Sequence, residues 1–508
     1  MAEMVHQTKM RNIKAPVEIG HEIIDVITAG MYSNPLMILR EYVQNSVDAI
    51  DQAVRQGKIG RDEGLIDIQI DGGTRSIAVE DNGIGISNAQ AEQTLCALGC
   101  SEKDSKKNRG FRGIGRLGGV GYCDLVQFET RSRASEKVAI IEWDAKKLRM
   151  LMQSGKMSAR KAIRDAVKAG YRRAAKDEPS HFFRVRINGI QRFHRDDLMN
   201  LGAIISYLGQ VAPVPFNRQR FRFADEIEDN LQDIDGFESY NIRVNGQRVY
   251  RPYADAFEVT SSRIDEINGI EFFDIASRNG KPMGQGWYAN TSYLASLPPR
   301  VSMRGIRVRQ GNLEIGDEYF LADSFAERRF AAWHIGEIHL GYGLTANARR
   351  DGFEHTPEYE TFLEQVRVLG THLSHLCRNS SKNRCRSAAA NEALAQLEAI
   401  AKSKLYIDDQ HLDNTKERAS RLLAGLLKEA ENGMLSPQTF KALTAVRHAI
   451  HRLDRDAIFL ADALDGRKLR YVSKRDLLED VAKSASESMN GELITDDWLQ
   501  EVFGTYLL

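Results

Sequence analysis

Three short boxes in the first 121 residues constrain the fold more than any other feature of the chain. They are Leu39-Arg-Glu-Tyr-Val-Gln-Asn-Ser-Val-Asp-Ala-Ile50, Val79-Glu-Asp-Asn-Gly-Ile-Gly-Ile86 and Gly110-Phe-Arg-Gly-Ile-Gly-Arg-Leu-Gly-Gly-Val-Gly121. The first reads as a helix in which Glu41, Asn45 and Asp48 recur at i, i+4 and i+7 and project from one side. Leu39, Val43, Val47 and Ile50 line the opposite side. In the second, an alternating strand ends at Asp81 and runs into Asn82-Gly83-Ile84-Gly85, where glycine admits a positive φ and a close backbone approach. The third packs six glycines into twelve residues.

Each residue type suggests a role, beside a plainer reading. Asn45 offers a side-chain oxygen to Mg²⁺, a hard cation that takes oxygen ligands. Glu41, one turn earlier, can orient and deprotonate an attacking water. Asp48 would support the site through water or hydrogen bonds. The plainer reading is an amphipathic helix with a solvated face. Asp81 can accept a hydrogen bond from the exocyclic amine of adenine, with Gly83 and Gly85 letting the backbone approach the base. The plainer reading there is an Asp-Asn-Gly turn. Backbone amides from Gly115 to Gly119 can cradle phosphates. The box does not fit GxxxxGK[ST] and lacks the βαβ context of a dinucleotide fingerprint. Glycine density from about Gly99 to Gly121 suggests a lid.

Helices are expected over Val17–Ala29 and Leu36–Gln56, separated by Ser33-Asn34-Pro35 and closed by Gly57. Leu65–Ile70 and Ser76–Glu80 read as a hairpin, Ser87–Leu98 as a helix, and Leu125–Thr130, Val138–Trp143 and Phe182–Ile187 as strands. Helices before and after a sheet indicate an α/β sandwich. Between Asp144 and Lys176 the chain has about eleven lysines and arginines against two aspartates, read here as a basic helical stretch. Such a stretch can track phosphates, although a solvated face is the commoner use. Two prolines in Gln210-Val-Ala-Pro-Val-Pro-Phe216 mark a boundary. The expected domains are therefore 1–221, an α/β unit over 222–379 with strands at Tyr240–Val244, Gly269–Ile275, Gly286–Ala289, Ile306–Val308 and His334–His339, and a helical region over 380–508.

Seventy basic residues cancel seventy acidic ones, so no whole-chain field favours a polyanion or an acidic membrane. Five cysteines without CxxC spacing suggest reduced thiols rather than a zinc site. The polar N-terminus has no signal-peptide character, and no run approaches the roughly 20 apolar residues of a membrane span. A cytoplasmic protein is expected.

Taken together, the boxes resemble the GHKL ATPase superfamily of gyrase, the ninety-kilodalton heat-shock chaperones, histidine kinases and MutL, with the heat-shock branch most similar. Tyr32-Ser-Asn, Leu39-Arg-Glu and Asn45-Ser-Val-Asp-Ala-Ile-Asp51 carry the likeness. It implies a Bergerat-type ATP-binding domain, then an α/β transducer domain. By this resemblance Glu41 is the catalytic base, Asn45 the Mg²⁺ ligand and Asp81 the adenine-binding carboxylate, with Asp48, Gly83 and Gly85 beside the nucleotide. Gly113, Gly115, Arg116, Leu117, Gly118 and Gly119 fall in the segment that closes over the phosphates. Leu344-Thr-Ala-Asn-Ala-Arg-Arg-Asp351 is similar to a loop whose arginine reaches the γ-phosphate, which makes Arg350 the candidate and Arg349 the alternate. The implied cofactors are ATP and Mg²⁺, and the implied assembly is a homodimer whose N-terminal domains associate on binding nucleotide, with Met1–Lys14 crossing between protomers. Protein clients are the first expectation for the clamp; a MORC- or MutL-like clamp on DNA is the alternative. Several features depart from the heat-shock pattern. Ser180-His181 stands where those chaperones have Gly-Thr, the insert Ser101–Asn108 is unusually charged, and nothing after Ser380 resembles their dimerisation domain.

Overall fold

The computed structural model describes residues 34–96, 115–133, 135–153, 158–192, 195–341, 343–347, 349–403, 405–406, 408–431 and 437–459. The expected N-terminal helix, the N-terminal arm, Gly113 and most of the expected lid, including the charged insert, lie outside these residues. The chain divides into two compact units, Met1–Ser380 and Ser381–Leu508.

Helix α1, Met37–Arg55, organises the first unit. The Asn34 side chain accepts the Leu36 N–H at 3.0 Å at its entry, as expected of an Asn-Pro break. Gly57 ends it at φ +61°, a left-handed position that favours glycine. Ile38, Leu39, Tyr42, Val43, Val47 and Ile50 are buried and pack in one core with Ile66 and Ile68 of β1 (Leu65–Asp71) and Ile77 and Val79 of β2 (Ser76–Asp81). Fully burying each such side chain contributes about 1.5–3 kcal/mol. The two strands form the expected hairpin, with Ile68 opposite Val79. Helix α2 follows at Asn88–Cys96.

Strands β3 (Leu125–Arg131), β4 (Lys137–Asp144), β5 (Val167–Arg173) and β6 (Phe182–Asn188) extend the sheet, with helices α3 (Ala145–Gln153) and α4 (Ala159–Ala166) between β4 and β5. Residues 167–173, expected to be helical, form an edge strand antiparallel to β4, with Tyr171 opposite Ala139. Val167 and Tyr171 within it favour extended backbone. Arg172 ties it down through ion pairs to Glu129 at 2.9 Å and Glu178 at 2.6 Å. Arg184 continues this ladder across the sheet to Glu129 at 3.1 Å and Glu80 at 2.6 Å.

Beyond β6 come helices α5 (Leu201–Val211) and α6 (Ala224–Leu231) and the short strands β7 (Asn241–Val244) and β8 (Gln247–Arg248). The first sheet runs β5-β4-β3-β6-β2-β1-β7-β8. Strand β7, expected in the α/β unit over 222–379, is thus a member of the first sheet, parallel to β1. Its Ile242 and Val244 lie in the same core as Ile66 and Ile68. Helix α6, which precedes it, packs into a different core with Phe216, Tyr253 and Trp287. The chain enters the second layer, returns to the first and leaves again, so no single cut at 221/222 separates them.

After a hairpin of β9 (Ala256–Thr260) and β10 (Arg263–Glu266), the second sheet is ordered β11-β12-β15-β13-β14. Its strands are β11 (Gly269–Ala276), β12 (Pro282–Asn290), β13 (Gly305–Gln310), β14 (Leu313–Ile315) and β15 (Ile335–Leu340). It is covered on one side by Phe362, Val366 and Leu373 and on the other by the aromatic cluster around Trp287. Strands β13 and β15 are wholly buried although they carry Arg307, Arg309, Glu337 and His339. Glu337 accepts from Arg309 at 2.6 Å, His339 Nε2 at 2.8 Å, Tyr253 at 2.9 Å, and Arg251. The same guanidinium groups reach the proline boundary: Arg309 donates to the Gln210 carbonyl at 2.5 Å and Arg251 to the Val214 carbonyl at 3.0 Å. Buried carbonyls beside Pro213 and Pro215 need donors, and these two arginines provide some of them.

Helix α7, Pro357–Lys402, carries the chain into the second unit, where it is followed by α8 (Asp409–Glu431) and α9 (Pro437–Ile450). Leu394, Leu397, Leu423, Leu426 and Leu443 form the core of that helical unit. Among the described residues no helix is long and apolar enough to cross a membrane.

Candidate nucleotide site

The polar side of α1 carries Glu41, Asn45 and Asp48; Glu41 and Asn45 are partly buried and Asp48 is buried. Strand β2 delivers Asp81 at its end, 1% exposed. The Asp81 carboxylate accepts the Gly83 N–H at 2.9 Å, and the Ile84 N–H donates to the Ala49 carbonyl at 3.1 Å. The turn after β2 is therefore stitched to the helix one residue beyond Asp48. A side chain at Gly83 has no room, because a Cβ there would lie 2.7 Å from Ala49 and 2.8 Å from the Asp81 carboxylate.

Gly85 is more constrained still. Its φ is +67°, and a Cβ would fall 2.0 Å from the Arg131 carbonyl at the end of β3. The neighbouring Ile86 N–H is accepted by the Thr130 hydroxyl at 2.8 Å, which itself donates to the Phe182 carbonyl at 3.1 Å. His181, standing where the resembling chaperones have threonine, is buried with Nδ1 2.8 Å from the Gly83 carbonyl. A carbonyl only accepts, so Nδ1 carries the proton. Helix α1, β3 and the start of β6 thus hold the Asn-Gly-Ile-Gly turn from three directions. Thr130 and His181 escaped the sequence reading as turn-fixing groups, for their partners lie 44 and 98 residues away.

The glycine box divides. Gly113 lies outside the described residues, and of Gly115 and Arg116 only the backbone is described. Residues Gly115–Gly121 form a 3₁₀ turn packed on α1, with Leu117 and Val120 in the core beside Tyr42. The Gly119 N–H donates to the Tyr42 hydroxyl at 3.2 Å, and a Cβ at Gly119 would lie 2.6 Å from that oxygen. This end of the expected lid is packed, with Gly118 and Gly119 buried and the Gly119 amide engaged. Burial raises the Tyr42 hydroxyl well above its usual range and pushes the adjacent Cys123 thiol up to about 12.

Arg350 is buried at φ +55°, its carbonyl accepting the Gly316 N–H at 2.8 Å. The preceding residue meets the first box: Arg40 Nη2 donates to the Arg349 carbonyl at 3.0 Å and lies 3.7 Å from the Glu41 carboxylate. Arg40 is 3% exposed. Arg40, too, was overlooked by the sequence reading, and a lone arginine between the buried Leu39 and the polar Glu41 was the signal that could have found it.

A buried carboxylate ends β2, and the two glycines after it sit where a Cβ would collide with α1 and with the end of β3. For a divalent cation the chain offers little alone. Among the described residues no group of three or more His, Cys, Asp or Glu side chains could hold a metal. Asn45 would contribute one oxygen, which suits Mg²⁺ when phosphates and waters supply the remaining ligands.

Comparison with known proteins agrees with the geometry. The family described as histidine kinase-, DNA gyrase B- and HSP90-like ATPase matches residues 32–163. Chaperone protein HtpG of Acinetobacter baylyi is 25% identical over 146 residues, covering 25% of this chain and 23% of that protein. HtpG of Geobacter metallireducens is 26% identical over 144 residues (24% of this chain, 22% of the relative), and HtpG of Roseobacter denitrificans 31% over 117 residues (21% and 19%). The chain therefore spans less than a quarter of the length of these curated relatives. With a polar helix face, a strand-end carboxylate and a glycine turn in one layer, residues 32–163 form a domain of the GHKL superfamily, the histidine kinase-, gyrase- and HSP90-like ATPases.

Proposed function

We propose that the chain binds ATP with Mg²⁺ between the polar face of α1 and the turn after β2, and hydrolyses it to ADP and phosphate as a chaperone-like, conformationally gated ATPase. Asp81 reads the adenine amine, and Asp48, Gly83 and Gly85 shape the base end of the pocket. Asn45 contributes an oxygen to the cation. Glu41 takes the proton of the attacking water. Gly113, Gly115, Arg116, Leu117, Gly118 and Gly119 belong to the closing segment; given the packing of Leu117 and Gly119, the last part of it acts as a hinge on α1. Arg350 stabilises charge on the transferred phosphoryl group. We further propose a cytoplasmic homodimer that closes on nucleotide and acts on protein clients.

The observation that supports this reading best is the pair of links made by α1: Ala49 to the turn holding Asp81, and Arg40 to the loop holding Arg350. Catalytic parts on separate layers imply turnover limited by closure. ATP turnover with Mg²⁺ and with EDTA, for wild type, Glu41→Ala and Asp81→Asn, tests it. The expected result is binding without turnover for Glu41→Ala, a loss of about 10²–10⁴ in rate, and no binding for Asp81→Asn. Wild-type protein that neither binds nor hydrolyses ATP would refute the assignment. Light scattering with a non-hydrolysable ATP analogue tests closure into a dimer; an unchanged mass counts against it.

A further inference from the structure

A chain of zero net charge concentrates eleven lysines and arginines against two aspartates between Asp144 and Lys176, and the nucleotide pocket uses none of them. Several of those on α3 and α4 stand on the solvent side of their helices. Helix α3 buries Ala145, Leu148 and Met152, leaving Lys146 and Lys147 exposed. Helix α4 buries Ala162 and Ala166, leaving Arg160, Lys161 and Arg164 exposed. At about 100° per residue, those three positions share one arc opposite the buried alanines. Lys147 donates to the Asp165 carbonyl at 2.8 Å, which fixes α3 against the end of α4. Lys168, also exposed, is the second residue of the edge strand β5, opposite Glu142 of β4.

One observation separates this face from an ordinary solvated one. Arg172 on the same strand is ion-paired, whereas Lys146, Arg160, Lys161, Arg164 and Lys168 make no ion pair among the described residues. On α4, Arg164 lies three and four residues from Lys161 and Arg160, about 5–6 Å between Cβ atoms, within a Debye length of about 8 Å at physiological ionic strength, and such like charges repel unless an anion lies against them. A membrane surface fits less well, since the apolar side of α4 is two alanines turned into the core and α3 exposes one large apolar side chain, Met150.

We propose that the outer face of α3, α4 and β5 binds nucleic acid through its phosphate backbone, without regard to base sequence, with Arg160, Lys161 and Arg164 as principal contacts and Lys146 and Lys168 flanking them. This site is separate from the nucleotide pocket and does not depend on ATP being its ligand.

The test is fluorescence anisotropy of the full chain with labelled 40-base-pair duplex DNA and the corresponding single strand, from 50 to 200 mM salt. About five phosphates neutralised give a log–log salt slope of about −4.5 for duplex and about −3.5 for single strand. In the triple variant Arg160→Gln, Lys161→Gln and Arg164→Gln, the duplex slope falls to about −1.8 and affinity drops about tenfold or more. Should that variant fail to fold, Lys146→Gln with Lys168→Gln gives the same readout, a duplex slope shallower by about 1.8. Binding of either probe with these losses supports the proposal, and the ratio of the two affinities identifies the preferred strand form. Absence of binding at 50 mM salt, unchanged binding by the variants, or binding only to vesicles with three parts anionic lipid in ten overturns it.

Discussion

Replacing Glu337 by glutamine should unlock the second sheet from the proline boundary at a cost near half of a typical domain's stability. Glu337 is 0% exposed and faces two guanidinium groups, a tyrosine hydroxyl and a histidine. Burial alone would raise its carboxyl, but Arg251 and Arg309 outweigh this and hold it far below the usual carboxylate range. Glu337→Gln keeps the shape, removes the charge and turns one acceptor into a donor facing donors. Two arginines then remain buried without a counter-ion. Breaking a buried pair this way costs about 3–5 kcal/mol, against about 5–15 kcal/mol for a whole domain. Urea unfolding followed by tryptophan fluorescence reads it directly, since Trp287 packs against Tyr253, ring centroids 5.1 Å apart. A second variant isolates the cause: Arg251→Met added to Glu337→Gln should cost less than the sum of the two single changes, because it removes one stranded charge. A loss under about 1 kcal/mol for Glu337→Gln, or strict additivity in the pair, refutes the reasoning.

The other predictions concern pH and packing. Burial holds His339 down at about 4 and His334 at about 3. The unfolded chain therefore takes up these protons near pH 6.5 while the folded chain does not, and stability must fall as pH drops from about 6.5 toward 4. At pH 5 each contributes a loss of about 2 kcal/mol, and denaturation curves that coincide at pH 7 and 5 would exclude it. Gly85→Ala puts a methyl group 2.0 Å from the Arg131 carbonyl in a left-handed conformation. Displacement of the turn should weaken ATP binding at least as much as Asp81→Asn, by calorimetric titration, and wild-type affinity would show that the turn is not part of the pocket. Leu117→Ala should cost about 2–5 kcal/mol in thermal or urea unfolding. A cost near zero would mean the 115–121 turn is not packed on α1.

Local signals in the sequence were good guides to the first layer. Asn34-Pro35 and Gly57 bracket α1 because capping and left-handed glycine act within a few residues, and the alternation of β1 and β2 is a contact of adjacent segments. What escaped depends on distant partners. Strand β5 has little alternation of its own and is held extended by β4 and by Arg172 on Glu129. Strand β7 looks like part of whatever surrounds it in sequence, yet its partner β1 lies about 175 residues earlier, as the Asn245 bonds to Ile70 record. Within the candidate site, spacing and residue type singled out Glu41, Asn45, Asp48, Asp81, Gly83 and Gly85, which the structure sets on one side of α1 and in the turn that ends β2. Arg40, Thr130 and His181 were not singled out, since each acts through a backbone carbonyl or amide that no motif encodes.

The return of β7 to the first sheet bears on modularity. A protein whose layers follow one another can be cut, shuffled or fused at the joint. Here a break after residue 221 would strip β1 of its parallel neighbour, bare Ile66 and Ile68 at a raw sheet edge, and leave Asp51 without the Tyr240 hydroxyl that hydrogen-bonds it. A piece that keeps the first core whole runs at least to Val249, the last residue of that core among the described residues. By the same ladder, a shift of the second sheet that tugs on β7 is felt through β1 by β2, the strand that ends in Asp81.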